Sequence, residues 1–360
     1  MYPYLAMLAV PSGLALTSPS ARRVALLLVA LLYFLLVAFR FHVGMDWNNY
    51  LIIYESKRSA SLSDLIFARE AGYGLLMWVG SQTGWGIIFV NAISGLVFCW
   101  GFFAVAKQSR EPWIAVAIAS PLLVVAFAMS ATRQALAAGL IFHLMAHWEQ
   151  RGTLARMLLV LFASLFHFSS IFVMIFVALG AKAPGIVRIG GAVLVAGFVA
   201  ALVRWAPDSV EAYSRLYVGS EGGKLSAPGA IFQVAPLAAA SLIYFAYRGV
   251  WVRVNGETPL YANMAWAALL IIPLIPFSSV GAYRFALYFW PMAMTVYAGV
   301  PAVIQSGTAR AYYRLCIVVA SFALLIGWLQ LANNSYAWLP YRNWLLEPAG
   351  ARLMNGSFAR

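Results

Sequence analysis

Apolar runs close to the length of a membrane-crossing helix, about 20 residues, recur from the start of this chain to residue 331. Hydrocarbon offers no hydrogen-bond partners, so a spanning backbone must satisfy itself as a helix or a closed barrel. A barrel would show segments of about ten residues with alternating polarity, and these runs do not alternate. The sequence therefore predicts an all-α, polytopic integral membrane bundle forming a single domain over residues 1–360. Composition agrees: 63% of residues are hydrophobic and 10% are charged, against about 45–50% and about 25% in soluble domains. With a mean hydropathy of +0.83, a soluble globular enzyme is excluded. No basic region precedes the first apolar stretch, so a cleaved signal peptide is not expected.

Spans are read near 2–18, 23–41, 85–106, 112–129, 133–148, 186–204, 230–247, 260–277, 284–304 and 311–331. The stretch 155–180 reads as one long tilted helix or as a broken pair turning near His167. Basic pairs occupy the short connections: Arg22/Arg23, Lys107/Arg110, Arg151/Arg156, Lys182/Arg188, Arg248/Arg253 and Arg310/Arg314. Short cytoplasmic loops collect Lys and Arg. All six pairs share one side only if 155–180 goes out and returns. The broken pair is therefore adopted, giving about 12 segments with both termini outside. Each arm gives only about 18–20 Å of helix, so a re-entrant hairpin is the alternative.

This topology places 42–84, 205–229 and 332–360 outside. Within 42–84, a polar loop leads into Gly72–Gly84, apolar but too short to span, which is expected at the interface or dipping back in. The aqueous segments are too short for an independent core. The net charge of +13 then reflects orientation, and no nucleic-acid partner is expected. Cys99 and Cys316 both lie inside apolar runs, which indicates neither a disulfide framework nor a metal site.

Charges at membrane depth are costly and often functional. The outer face of this topology gathers Arg40, Asp46, Glu70, Arg133, His167, Arg284 and Arg342, with Tyr50, Tyr54, Tyr73, Tyr283, Tyr288 and Tyr341. Asp46, Tyr50 and Tyr54 fall at i, i+4 and i+8, so a helix would carry them on one face. That pattern fits a sugar-binding edge with a carboxylate base. It equally fits an interfacial aromatic belt with a helix-capping Asp. Glu70 reads as a second acid/base or as a carboxylate favouring a helix N-terminus.

Arg133 stands between two spans joined by almost no loop. Its fork-shaped guanidinium there suits a diphosphate, while the blander alternative is snorkelling to lipid headgroups. His167 either faces an outer cavity at the proposed turn or is a hydrogen-bonded structural histidine. Tyr283-Arg284 opens another outer helix end, and Trp338 and Tyr341 read as belt residues or as rings that stack on sugars. His143 and His147 have the i, i+4 spacing of metal ligands, but only Glu149 is at hand as a third, so no metal is expected. No P-loop, GxSxG or Rossmann fingerprint occurs.

Taken together, these residues resemble the EpsG-like family of Wzy-type exopolysaccharide and O-antigen polymerases. The likeness runs through Phe39-Arg40-Phe41, Gly44-x-Asp46-Trp47-x-x-Tyr50, Glu70-x-Gly72-Tyr73 and Arg133-Gln134. It continues through Leu165-Phe166-His167-Phe168-Ser169, Tyr283-Arg284-Phe285 and Trp338-x-x-Tyr341. Order and rough spacing agree from about residue 2 to 342. Trp47 departs from the pattern, where a tyrosine often follows the Asp, but it keeps the aromatic character.

The resemblance implies a GT-C-like membrane glycosyltransferase of the outer leaflet. Undecaprenyl-diphosphate-linked oligosaccharide repeats would serve as donor and acceptor, beside membrane lipid, with no metal, nucleotide or other cofactor. A chain-length regulator and a flippase of the same pathway are the implied partners. Such a reaction needs cations for the leaving diphosphate, with Arg133 and Arg284 ahead of Arg40, and a base, with Asp46 ahead of Glu70 and His167. Tyr50, Tyr73, Tyr283, Trp338 and Tyr341 would line the sugars. The rivals are a lipid-linked oligosaccharide flippase, which would carry internal repeats and deep charges, an O-antigen-type ligase with one large outer loop, and a membrane acyltransferase with a cytosol-facing His.

Overall fold

The computed structural model describes residues 1–18, 20, 23–180, 230–256, 258–275 and 279–348, with isolated positions between 185 and 193. The expected span 186–204, the loop 205–229, the Lys182/Arg188 pair and the tail end 349–360 lie outside the described residues. Among those described, the chain is helical, and its only strand-like pairing is an isolated bridge between Arg40 and Asn343.

Two apolar helices, α1 (Tyr2–Thr17) and α2 (Arg23–Ala38), open the bundle. The segment 42–84 folds as α3 (Trp47–Arg58), α4 (Leu62–Ile66) and α5 (Ala71–Gln82). Next, α6 (Ile87–Gln108) lies against α8 (Thr132–Ala146). A Cβ on Gly101 would stand 1.9 Å from the Gly139 oxygen, and one on Gly139 would stand 2.3 Å from the Val97 oxygen. The two glycines let the backbones touch, as small residues do between membrane helices that gain nothing from hydrophobic exclusion. Between α6 and α8, α7 (Pro112–Ala119) widens into a π-helical stretch, Ser120–Ala128, and the tip 129–131 turns into α8.

The stretch 155–180 is broken. Helix α9 (Thr153–Ser164) ends, the chain turns at 165–167, and a 3-10 stretch, Phe168–Val173, leads into α10 (Met174–Ala178). A Cβ on Gly180 would lie 3.7 Å from the Arg156 Nη1, so the returning arm ends level with the start of the outgoing one. The single tilted helix does not form.

Further on, α11 (Ala230–Ala246) meets α12 (Arg248–Asn255) at 87°. After α13 (Pro259–Leu270), α14 (Ser279–Ala286) passes through a 3-10 turn into α15 (Trp290–Val303), and α16 (Gly307–Leu331) follows. Ile87–Gln108, Gly281–Val303 and Gly307–Leu331 are each long and apolar enough to cross a membrane, and the bent α11–α12 pair qualifies as a fourth. Shorter apolar helices, Arg23–Ala38 and Pro112–Ala128 among them, pack around these. The chain is an all-α, polytopic membrane protein.

The two ends of the bundle differ in chemistry. At one end, Arg314 grips both Glu111 carboxylate oxygens at 2.8 and 2.6 Å, and Arg110 donates to the Val254 oxygen. The basic connections 107–110, 248–253 and 310–314 therefore converge, as the shared sidedness of those pairs requires. The other end holds the segment 42–84 and the tail. There Trp338 donates its indole N–H to the Val125 oxygen at 2.9 Å, and Tyr341 donates to Leu36 at 2.8 Å. Phe41 and Trp344 exchange backbone bonds with Arg342 and Phe39 across the exit of α2.

Gly44 closes this arrangement. Its N–H donates to the Ala337 oxygen at 2.8 Å, its φ is +102°, and an added Cβ would sit 2.2 Å from the Met129 oxygen. Gly44→Ala should therefore lose about 3 kcal/mol through backbone strain and overlap. Thermal unfolding in detergent measures this, and an unchanged midpoint would mean that the loop and the 129–131 tip are not held together.

Candidate functional site

Asp46 takes the position just before α3, and Tyr50 follows one turn later. The Tyr50 ring is buried, and its hydroxyl accepts the Arg133 backbone N–H at 3.3 Å. The Arg133 guanidinium lies over that ring, 5.6 Å from its centroid, a cation–π contact. Its Nη1 donates to Glu70 Oε2 at 2.7 Å. Arg133 sits in the first turn of α8, where unpaired N–H groups and the helix dipole favour anions.

Glu70 precedes α5 in the left-handed region, with φ +59°, uncommon for a side chain that is not glycine. Its second oxygen accepts the Phe168 N–H at 3.1 Å, and Gly72 donates to the Leu165 oxygen at 2.9 Å. One carboxylate thus ties Arg133 to the turn that carries His167. Backbone strain of this kind gathers at functional sites.

Arg284, Arg133 and Arg40 all act on the Asp46 carboxylate, and Ser130 hydrogen-bonds to it. Burial pushes the Asp46 carboxyl above the usual carboxylate range, with the arginines and Ser130 pulling the other way. On the far side, His167 Nδ1 meets Ser169, whose hydroxyl contacts Tyr288 at 3.0 Å and receives Gln134 Nε2 at 3.1 Å. The same Gln134 nitrogen donates to the Arg284 backbone oxygen at 2.8 Å. Groups 46, 70, 133, 167 and 284, distant in sequence, therefore belong to one connected site.

Several expected binders play other parts. Arg40 is 2% exposed. Its donors hold the Met129 and Val37 oxygens and the Thr132 hydroxyl, at 2.8, 2.6 and 2.6 Å. It fastens α2 to the tip before α8, which takes it away from a diphosphate. Tyr50 and Tyr73 are buried ring to ring, with centroids 6.0 Å apart, and support Arg133 from beneath. Trp338, 1% exposed, and the pinned Tyr341 anchor the tail and offer no platform to a sugar.

Arg342 pairs with Glu347 at 2.9 and 2.8 Å. Tyr283 is half-buried beside Arg284. His143 stacks on Trp100, with centroids 3.5 Å apart, near the basic end. The sequence gives no role to Ser130, to Gln134 and Ser169 within their motifs, or to Tyr288 on the outer face. Their signals are positional: Gln134 follows Arg133, Ser169 stands two residues after His167, and Tyr288 stands one helical turn after Arg284.

The fold and site define a polytopic helical membrane protein that draws Asp46, Glu70, Arg133, His167 and Arg284 together at one end of its bundle. A model of the EpsG family matches residues 23–343, nearly the whole chain, and the chain belongs to that family. Membership implies a polymerase-like role in exopolysaccharide formation at a membrane. No curated protein and no solved structure matches the chain.

Proposed function

We propose that the chain polymerises exopolysaccharide on the extracytoplasmic face of a bacterial inner membrane, with undecaprenyl-diphosphate-linked oligosaccharide repeats as donor and acceptor. Single repeats enter as acceptors, and the growing chain is the donor. The observation that carries this reading is that Asp46 stands within electrostatic reach of Arg133 and Arg284, at the end of the bundle opposite the basic connections. A sugar transfer from a lipid diphosphate needs that pair of charges: a base for the incoming hydroxyl and cations for the leaving group.

The acceptor hydroxyl attacks the anomeric carbon of the growing chain. Asp46 takes the hydroxyl proton as the new glycosidic C–O bond forms. The bond from the anomeric carbon to the diphosphate breaks, and the polyprenyl diphosphate leaves with the electron pair. Its growing negative charge is met by Arg133 and Arg284, beside the N-terminus of α8. Glu70 keeps Arg133 aimed while leaving part of its fork free. The basic end faces the cytoplasm, which leaves the site outside, where the lipid-linked repeats would be presented.

Mass spectrometry of lipid-linked glycans from a deletion strain tests this. Single repeats stalled on the carrier outside the membrane, with no surface ladder, are expected. Repeats trapped on the cytoplasmic side would instead make the chain a flippase. Intact polymer lacking only its anchor or a decoration would make it a ligase or a modifying transferase.

A further inference from the structure

The Nδ1 edge of His167 is fully engaged. It accepts the Ser169 backbone N–H at 3.2 Å and lies 2.8 Å from the Ser169 hydroxyl. A backbone N–H can only donate, so Nδ1 presents a lone pair, and in the neutral ring the single proton sits on Nε2. Gln134 is fixed in the same way: its Nε2 donates to the Arg284 oxygen, which cannot donate back. One assignment then satisfies the whole chain of contacts. Gln134 and Tyr288 donate to the Ser169 oxygen, and Ser169 donates to Nδ1. The Ser170 hydroxyl donates to the His167 carbonyl at 3.0 Å and holds its backbone.

Charges around the ring point the same way. Arg133, Arg284 and Arg69 all act on His167, so an imidazolium would meet three like charges. Glu70, whose carboxylate binds the same turn, already holds Arg133 and the Phe168 N–H. The ring is half-buried, and its Nε2 edge has no bond among the described residues.

We infer that His167 is a fixed hydrogen-bond donor, presenting Nε2–H to the lipid-linked diphosphate, and that Ser169, Tyr288 and Gln134 are positioning residues that hold this tautomer. The inference rests on the polymerase reading and removes His167 from the candidate bases. No proton is transferred: the ring shares its N–H with a phosphoryl oxygen as charge builds there, and keeps it.

The test uses the full chain reconstituted with undecaprenyl-diphosphate-linked repeats. His167→Gln puts an amide N–H near the place of Nε2. It should keep turnover within about tenfold of wild type with the same acid limb in its pH profile, whereas His167→Ala should fall about 100-fold. Ser169→Ala should lose about tenfold in the wild-type background and nothing further in the His167→Gln background, a coupling that a merely structural serine would not show. His167→Gln as inactive as His167→Ala would overturn the inference, as would equal losses from Ser169→Ala in both backgrounds. Should His167→Ala fail to fold, the His167→Gln profile still decides, since a vanished acid limb would restore His167 as the base. A wild-type chain that forms no ladder would sink the polymerase reading, and this inference with it.

Discussion

Asp46→Asn, at matched protein level, should lower polymer formation by about 10²–10⁴-fold, the usual contribution of a positioned base. Asn keeps the size of the side chain and can still bond to Ser130, so the loss isolates the proton acceptor. Two further readings separate function from structure. Burial holds the Asp46 carboxyl above the ordinary range, so the folded state takes up a proton more readily than the unfolded chain. That group favours folding when protonated, and its ionisation erodes stability as pH rises from the unfolded pKa through the folded one. At neutral pH, Asn removes that unfavourable ionised group, and thermal stability should hold or rise while activity collapses. The wild-type rate should fall on the acid side, through a pKa above that of an ordinary aspartate. A stable Asp46→Asn protein with normal turnover would remove Asp46 from the reaction.

Arg133→Lys should lower turnover by about 10²–10³-fold, the scale seen when one donor to a developing oxyanion is lost. Lysine keeps the charge but not the planar fork. Arg133 gives one nitrogen to Glu70 at 2.7 Å and lies over Tyr50, an arrangement that leaves donors for a diphosphate. A lysine ammonium cannot hold Glu70 and reach a phosphate with the same geometry. Arg284→Lys should behave similarly, with a smaller defect in folding, because its backbone bond from Gln134 is untouched. Full polymer yield from both lysine variants would mean that no fork-shaped clamp exists.

The apolar runs made the bundle legible, and the basic connections foreshadowed the end at which 107–110, 248–253 and 310–314 converge. The returning arm at 155–180 followed from charge alone, and it is seen where Gly180 stands beside Arg156. Site residues were legible by type and less so by role. Arg40 and Arg133 look alike in sequence, each at the end of an apolar run. Only packing shows that one is locked onto backbone oxygens while the other reaches a carboxylate. Trp338 was indistinguishable from a sugar platform until its indole proved to be committed to Val125. The grip of Glu70 on the Phe168 N–H joins residues 98 positions apart through a backbone group, which no side-chain pattern announces. The left-handed turn at Glu70 is likewise set by docking on Leu165, against local preference.

We propose that this bundle joins lipid-linked repeats. The most direct test is the purified chain in lipid nanodiscs, supplied only with undecaprenyl-diphosphate-linked repeat units. A ladder of lipid-linked oligomers is expected, with one undecaprenyl diphosphate released for each linkage formed. Unchanged single repeats, with wild-type protein folded and the lipid accessible, would contradict it.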